Sequence, residues 1–136
     1  MFRKQPSKPQ NRIDSLIGAG TKIEGNISFT GGLRVDGEVQ GNVSATPDHP
    51  SILVVSEHAR VDGEIRVSHL VVNGSLNGPV FATDTLELQG NARLRGDVHY
   101  NTLEMHLGAI VEGRLVHGAS ETKTVELKLA TTKAAG

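Results

Sequence analysis

The chain has no cysteine and no tryptophan. Without cysteine, neither a disulfide framework nor a thiolate metal site can form. A reducing compartment is compatible with that absence. Aromatic residues make up only 3% of the chain: Phe2, Phe29, Phe81 and Tyr100. That is too few for the stacked aromatic platforms on which single-stranded nucleic acids bind. Charge of one sign is also missing, since the formal net charge is −1, so no global field draws the chain to nucleic acid. No apolar run approaches the roughly 18 residues of a spanning helix, and the N-terminus carries no apolar signal core. The expectation is a chain that is neither secreted nor membrane-spanning. Helical periodicity is absent as well. From Ile13 to about His117, apolar and polar residues alternate and β-branched residues are frequent, which is the pattern of strands.

What is abundant is glycine, 16 in 136 residues against a usual share of about 7%. Six glycines sit at the centre of an apolar-x-Gly-x-apolar row: Gly25, Gly41, Gly63, Gly78, Gly96 and Gly113. The rows run from Ile23-Glu-Gly-Asn-Ile27 to Val111-Glu-Gly-Arg-Leu115, with steps of 16, 22, 15, 18 and 17 residues. The long step contains Thr46-Pro-Asp-His-Pro-Ser51, an inserted loop. Self-similarity at this period marks a stacked, quasi-one-dimensional fold.

Two further sides complete the repeat. One opens at Leu33, Leu53, Leu70, Leu86 and Leu103; the other continues from each glycine row, as in Ile27-Ser-Phe29 and Val98-His-Tyr100. Three short strands in about 17 residues make one turn of a triangular coil. Alternate side chains point inward and stack on their equivalents above and below. The fold class is therefore all-β, a three-sided parallel β-helix of about six rungs spanning 15–118. Glycine is expected where the corner needs positive φ or leaves no room for a side chain. Pro79 is expected at a corner or where a ladder bond is missing. The register places Arg95 over Glu112 and Asp97 over Arg114, either as stacked ion pairs or as a solvated face. It also places Arg66, Phe81, His99 and Val116 in one outward column. Outward Val54, Val71, Phe81, Ile110 and Val116 read as lateral contacts or as ordinary surface scatter.

No catalytic constellation holds together. The six histidines fall on different columns, with no metal-ligand spacing. No Ser–His–Asp set shares a face, and Gly31-Gly32 is too short for a phosphate loop. No catalytic, cofactor-binding or metal-ligating residue is therefore expected. What remains is the two ends of the coil, each exposing unpaired strand groups and an uncapped apolar core. Identical ends can pair by two-fold contacts, and repeated pairing yields a filament.

Residues 1–14 read as a disordered arm carrying Arg3, Lys4, Lys8 and Arg12. It is either a soluble tail or a membrane toe in which Met1 and Phe2 insert while Arg3, Lys4 and Lys8 face anionic headgroups. Residues 119–136 read as a flexible tail, within which 121–129 alternates and could add a capping strand.

The rows Ile23-Glu-Gly25-Asn-Ile27, Leu33-Arg-Val-Asp-Gly37-Glu-Val39-Gln-Gly41-Asn-Val43 and Ala59-Arg-Val-Asp-Gly63-Glu-Ile65 resemble the bactofilins, a family of bacterial cytoskeletal proteins. Ile17-Gly-Ala-Gly-Thr21 fits the same pattern, and the resemblance covers about 14–118. It implies a right-handed β-helix that polymerises without nucleotide into non-polar filaments on the inner face of the cytoplasmic membrane. It also implies scaffolding of cell shape or cell-wall machinery, with peptidoglycan-modifying enzymes or other bactofilins as partners. Met1-Phe2-Arg3-Lys4-Gln5 is similar to the family's short membrane-targeting segment, and the end-to-end contacts that the resemblance implies map to Ile23, Ile27 and Phe29 on the first rung and Val111 and Leu115 on the last. Two other readings are an enzyme on a β-helix, such as a hexapeptide-type acyltransferase, and a monomeric binding module. The first conflicts with the slipping repeat length, since those enzymes repeat strictly every six residues.

Overall fold

The computed structural model describes residues 13–118, and all its regular structure there is strand. The first turn of the coil comprises β1 (Ser15–Ile17), β2 (Lys22–Glu24) and β3 (Ile27–Phe29). The second comprises β4 (Gly32–Val35), β5 (Glu38–Gln40) and β6 (Val43–Ala45). Then come β7 (Ile52–Val55), β8 (Arg60–Asp62), β9 (Ile65–Val72), β10 (Ser75–Asn77), β11 (Val80–Leu88), β12 (Arg93–Arg95) and β13 (Val98–Tyr100). The last turn is β14 (Thr102–Met105), β15 (Ile110–Glu112) and β16 (Leu115–His117).

Every pairing is parallel and joins one rung to the next. The glycine side is the sheet β2-β5-β8-β10-β12-β15. The leucine side stacks β1, β4, β7, the second half of β9, the second half of β11, and β14. The third side stacks β3, β6, the first halves of β9 and β11, β13 and β16. β9 and β11 pass round the corner between two sides without a break, so those sides form one continuous sheet. Six rungs of three strands result, as the repeat implies. The leucine side has one strand more than the sequence columns suggested: β1 lies in register on β4, with Ile17 against Val35.

The core is the inward column set. Val39, Val43, Val55, Val61, Val72, Leu88 and Val98 are fully buried, with Leu53, Leu70, Leu76 and Leu94 beside them. Each removes its apolar surface from water only because a rung lies above and below. Most inward columns stay apolar to the ends, but burial falls off there. Ile23, Ile27 and Phe29 at one end, and Leu103, Val111 and Leu115 at the other, are half-buried on the same core.

Two corner types explain the slipping repeat. At the leucine-to-glycine corner, rungs 1, 3, 5 and 6 use a four-residue turn, closed by Thr21 N–H to Gly18 O, Ala59 to Ser56, Ala92 to Gln89 and Ala109 to His106. Rungs 2 and 4 cross it in two residues, Asp36-Gly37 and Asn73-Gly74. The short corners give the steps of 15 and 16, and the long ones those of 17 and 18. The step of 22 combines a long corner with the loop at 46–51, after which the ladder resumes at Ile52 on Gly32.

The glycine corner has one physical cause. Gly63 has φ of 151°, and a Cβ there would collide with the carbonyl oxygen of Gly41 one rung before. Gly25 has φ of 138° but meets nothing within 4 Å, because no rung precedes it. The next residue secures the corner. Asn26 Oδ1 accepts the Asn42 N–H at 2.9 Å, and Asn42 Oδ1 accepts the Glu64 N–H at 2.9 Å. Pro79 follows in the same column and brings no N–H that needs an acceptor. Its carbonyl still accepts the Ile65 N–H at 3.0 Å.

Candidate functional site

The features that set this molecule apart from a closed domain are its two ends. Among the described residues, each end strand pairs on one side only: β1, β2 and β3 at one end, β14, β15 and β16 at the other. Unpaired N–H and C=O groups in a row are a template for another strand. The exposed large apolar side chains among the described residues are Ile13, Leu16, Met105, Leu107 and Ile110. All five belong to the first or last rung or its flank. Met105 is 45% exposed although Leu88, its partner in the same inward column, is fully buried. Leu107, at the tip of the last corner turn, is 97% exposed.

The five residues expected at the ends are where the sequence put them. Ile23 lies on β2, Ile27 and Phe29 on β3, Val111 on β15 and Leu115 on β16, each half-buried against the core. Sequence reasoning missed Leu16, Met105 and Leu107 as end residues, and read Ile110 as a lateral contact or as surface scatter. The signal for Ile110 was its column: the equivalent positions are Lys22, Glu38, Arg60, Ser75 and Arg93. Met1, Phe2, Arg3, Lys4 and Lys8 lie outside the described residues, as does the alternating segment 121–129.

The polar surface differs along the coil. Lys22–Glu24, Arg34–Asp36, Arg60–Asp62 and Glu64–Arg66 pair along one strand or across its corner, two residues apart. At the last rung the pairs cross between rungs. Arg95 Nε lies 3.0 Å from Glu112, and Arg114 Nη2 lies 2.9 Å from Asp97. Both are the pairs that the register places over one another. The Arg114 side chain, which donates to Asp97, holds the Asp97 carboxyl below the usual carboxylate range, against a smaller opposing effect of burial. Asp36 is lowered in the same way, by the Ser56 hydroxyl first and Arg34 second. Burial raises the Tyr100 phenol.

The outward column on the third side is closed on itself. Arg66 lies over one face of Phe81, 4.1 Å from its centroid, and His99 stacks on the ring at 4.5 Å. Phe81, expected as a lateral contact or as scatter, thus has its ring covered by neighbours from its own chain. Gly31-Gly32 is filled by an acid: the Gly32 N–H donates to Asp14 Oδ2 at 3.1 Å. A carboxylate in that place repels phosphate. Sequence columns also separated the histidines from other ligands. The structure instead brings His106 between Glu87 and Glu104, at 3.2 and 3.1 Å.

Comparison with known proteins agrees with this geometry. The family model for bactofilins, described as polymer-forming cytoskeletal, matches residues 15–116. Among curated proteins, the chain is similar to bactofilin BacP of Myxococcus xanthus, 26% identical over 118 residues, covering 87% of this chain and 48% of BacP. It is also similar to bactofilin BacO of the same organism, 26% identical over 102 residues, covering 75% of this chain and 78% of BacO. The chain thus spans about half the length of BacP. No solved structure gives a significant match. A six-rung parallel coil, matched over 15–116 by the model of a polymer-forming family, leaves one assignment: the chain belongs to the bactofilins.

Proposed function

We propose that this chain is the subunit of a structural scaffold, not an enzyme, and that it stacks end to end without nucleotide into non-polar filaments. The observation that supports this reading is the placement of exposed apolar side chains. Ile13, Leu16, Met105, Leu107 and Ile110 cluster at the ends, and Met105 is 45% exposed in an inward column whose members Val35, Val55, Val72 and Leu88 are fully buried. Covering an end removes that surface from water and pairs three open strands at once. Like ends meeting through two-fold contacts give a filament without polarity. The filament lies on the inner face of the cytoplasmic membrane, held by Met1, Phe2, Arg3, Lys4 and Lys8. One such arm binds weakly, and many arms on one polymer bind by avidity. There it organises cell-shape or cell-wall machinery, with peptidoglycan-modifying enzymes or other bactofilins as partners.

Sedimentation and electron microscopy of the purified protein, with no nucleotide added, test the assembly. Long thin filaments are expected, and Phe29→Arg or Leu115→Arg should leave short species. Full-length filaments in both variants would exclude stacking through these ends. Deleting residues 2–8 should abolish co-sedimentation with anionic liposomes while filaments persist; unchanged co-sedimentation removes the membrane role. Localisation of a tagged copy in its native cell, with the phenotype of its loss, tests the scaffolding role.

A further inference from the structure

We propose that Glu87, Glu104 and His106 form a surface site for a divalent transition-metal ion that fastens the last rung to the one before it. Glu87 on β11 and Glu104 on β14 are direct partners in the parallel register, one rung apart on the leucine side. Two carboxylates side by side on neighbouring strands repel each other. Above them in the same outward column stand Leu16, Arg34, Val54 and Val71, none of them acidic. The acid pair therefore occurs only at the last two rungs.

His106 follows immediately after β14. Its backbone N–H donates to Leu88 O at 2.8 Å, which fixes where the side chain starts. Its Nε2 lies 3.2 Å from Glu87 Oε2 and 3.1 Å from Glu104 Oε2, and the three ligand atoms are all within 4.8 Å of one another. A neutral imidazole offers Nε2 at most one proton, so two carboxylates converge on a group that can satisfy one of them well. A cation supplies what is missing.

The donor set selects the ion. An imidazole nitrogen distinguishes this group from an acidic surface patch and turns preference away from Mg²⁺ and Ca²⁺, which take oxygen ligands. Zn²⁺ accepts His nitrogen and carboxylate oxygen at about 2.0–2.2 Å, which puts tetrahedral ligands roughly 3.3 Å apart. The two His–Glu separations are close to that already. Gln89 Nε2 donates to Glu87 Oε2 at 3.2 Å, the outer contact that orients a ligating carboxylate. Three protein ligands leave a coordination position for water or another donor. The site itself stands on the rung geometry alone; an effect of the metal on assembly would rest on the polymer reading.

The experiment is calorimetric titration of the full chain with Zn²⁺, together with thermal unfolding with and without the ion. Wild type should bind one Zn²⁺ per chain, and its unfolding midpoint should rise with the ion. His106→Ala should lower the affinity at least tenfold and abolish the rise, and Glu104→Gln should do the same. His58→Ala and His99→Ala should leave both unchanged. The metal-free midpoints of His106→Ala and Glu104→Gln should stay near wild type, which separates loss of a ligand from loss of fold. No saturable binding by wild type, or equal affinity in His106→Ala, would overturn the proposal. Filament formation scored in the same samples keeps this outcome distinct from failure of the polymer reading.

Discussion

At the N-terminal end, the first rung is tied to the second by backbone bonds, by the Asp14 carboxylate on the Gly32 N–H, and by the neutral Asn26 amide on the Asn42 N–H. The Lys22–Glu24 ion pair runs along a single strand at 3.8 Å and joins no rungs. At the C-terminal end, Arg95–Glu112, Asp97–Arg114 and the Glu87–His106 contact each cross from the fifth rung to the sixth. Both ends expose the same apolar columns. The difference teaches that, among the described residues, ion pairs between side chains fasten one end, whereas side-chain bonds to backbone N–H groups fasten the other. Ion pairs respond to salt and acid, whereas amide-to-backbone bonds respond weakly. The two ends should therefore answer differently to the same perturbation, and both should differ from the interior.

The largest contrast is between an end glycine and an interior one. Gly63→Ala places a methyl against the Gly41 carbonyl and strains a backbone at φ of 151°. It should cost on the order of 4 kcal/mol, from overpacking and strain together. Gly25→Ala carries the strain without the collision and should cost about 1–2 kcal/mol. Chemical denaturation measures both, and equal losses would mean that the collision is relieved by movement of the corner.

Next is the core. Leu70→Ala, at a fully buried position, should lose about 3 kcal/mol. Ile23→Ala, half-buried on the first rung, should lose about 1 kcal/mol, because part of its surface is already wet. Denaturation of the assembly-blocked Phe29→Arg, Leu115→Arg protein keeps polymer contacts out of the comparison.

Much of this was legible in the sequence, and the exceptions have causes. The glycine rows carried the three sides, and their register alone set Arg95 over Glu112. A one-residue slip would have turned every core valine outward, so the columns admitted one alignment. β1 was missed because Ser15-Leu-Ile17 precedes the first glycine row and has no row of its own to index it. The Glu87–Glu104–His106 group was missed because His106 lies one residue past a strand, in a turn whose course the strand columns do not define. Leu107 escaped for the same reason. Its equivalents in the other four-residue turns are Ala19, Glu57 and Gly90, a position with no constant chemistry.

Salt gives a smaller effect. Raising ionic strength from 0.1 to 1 M shortens the screening length from about 10 to 3 Å. Amide hydrogen exchange in β16 should then quicken about two- to fivefold relative to β3, the scale set by exposed ion pairs. Equal changes at both ends would show that the cross-rung pairs contribute nothing.

Acid gives the smallest effect and the one with a definite sign. Asp97 has a folded pKa below its unfolded value, so its contribution is present above about pH 4, the unfolded range. It is lost as pH falls through the folded value. Wild type should melt above Asp97→Asn at neutral pH, and the gap should close below about pH 4. A gap that persists in stronger acid would assign the difference to something other than the Arg114 pair.

Whether the open ends are where subunits meet is settled most directly by cryo-electron microscopy of filaments formed without nucleotide. The account predicts coils stacked end to end, with the strand spacing of about 4.8 Å continuing across each junction and Phe29 and Leu115 buried there. Filaments whose subunits touch along their flat sides, with both ends still open to solvent, would contradict it.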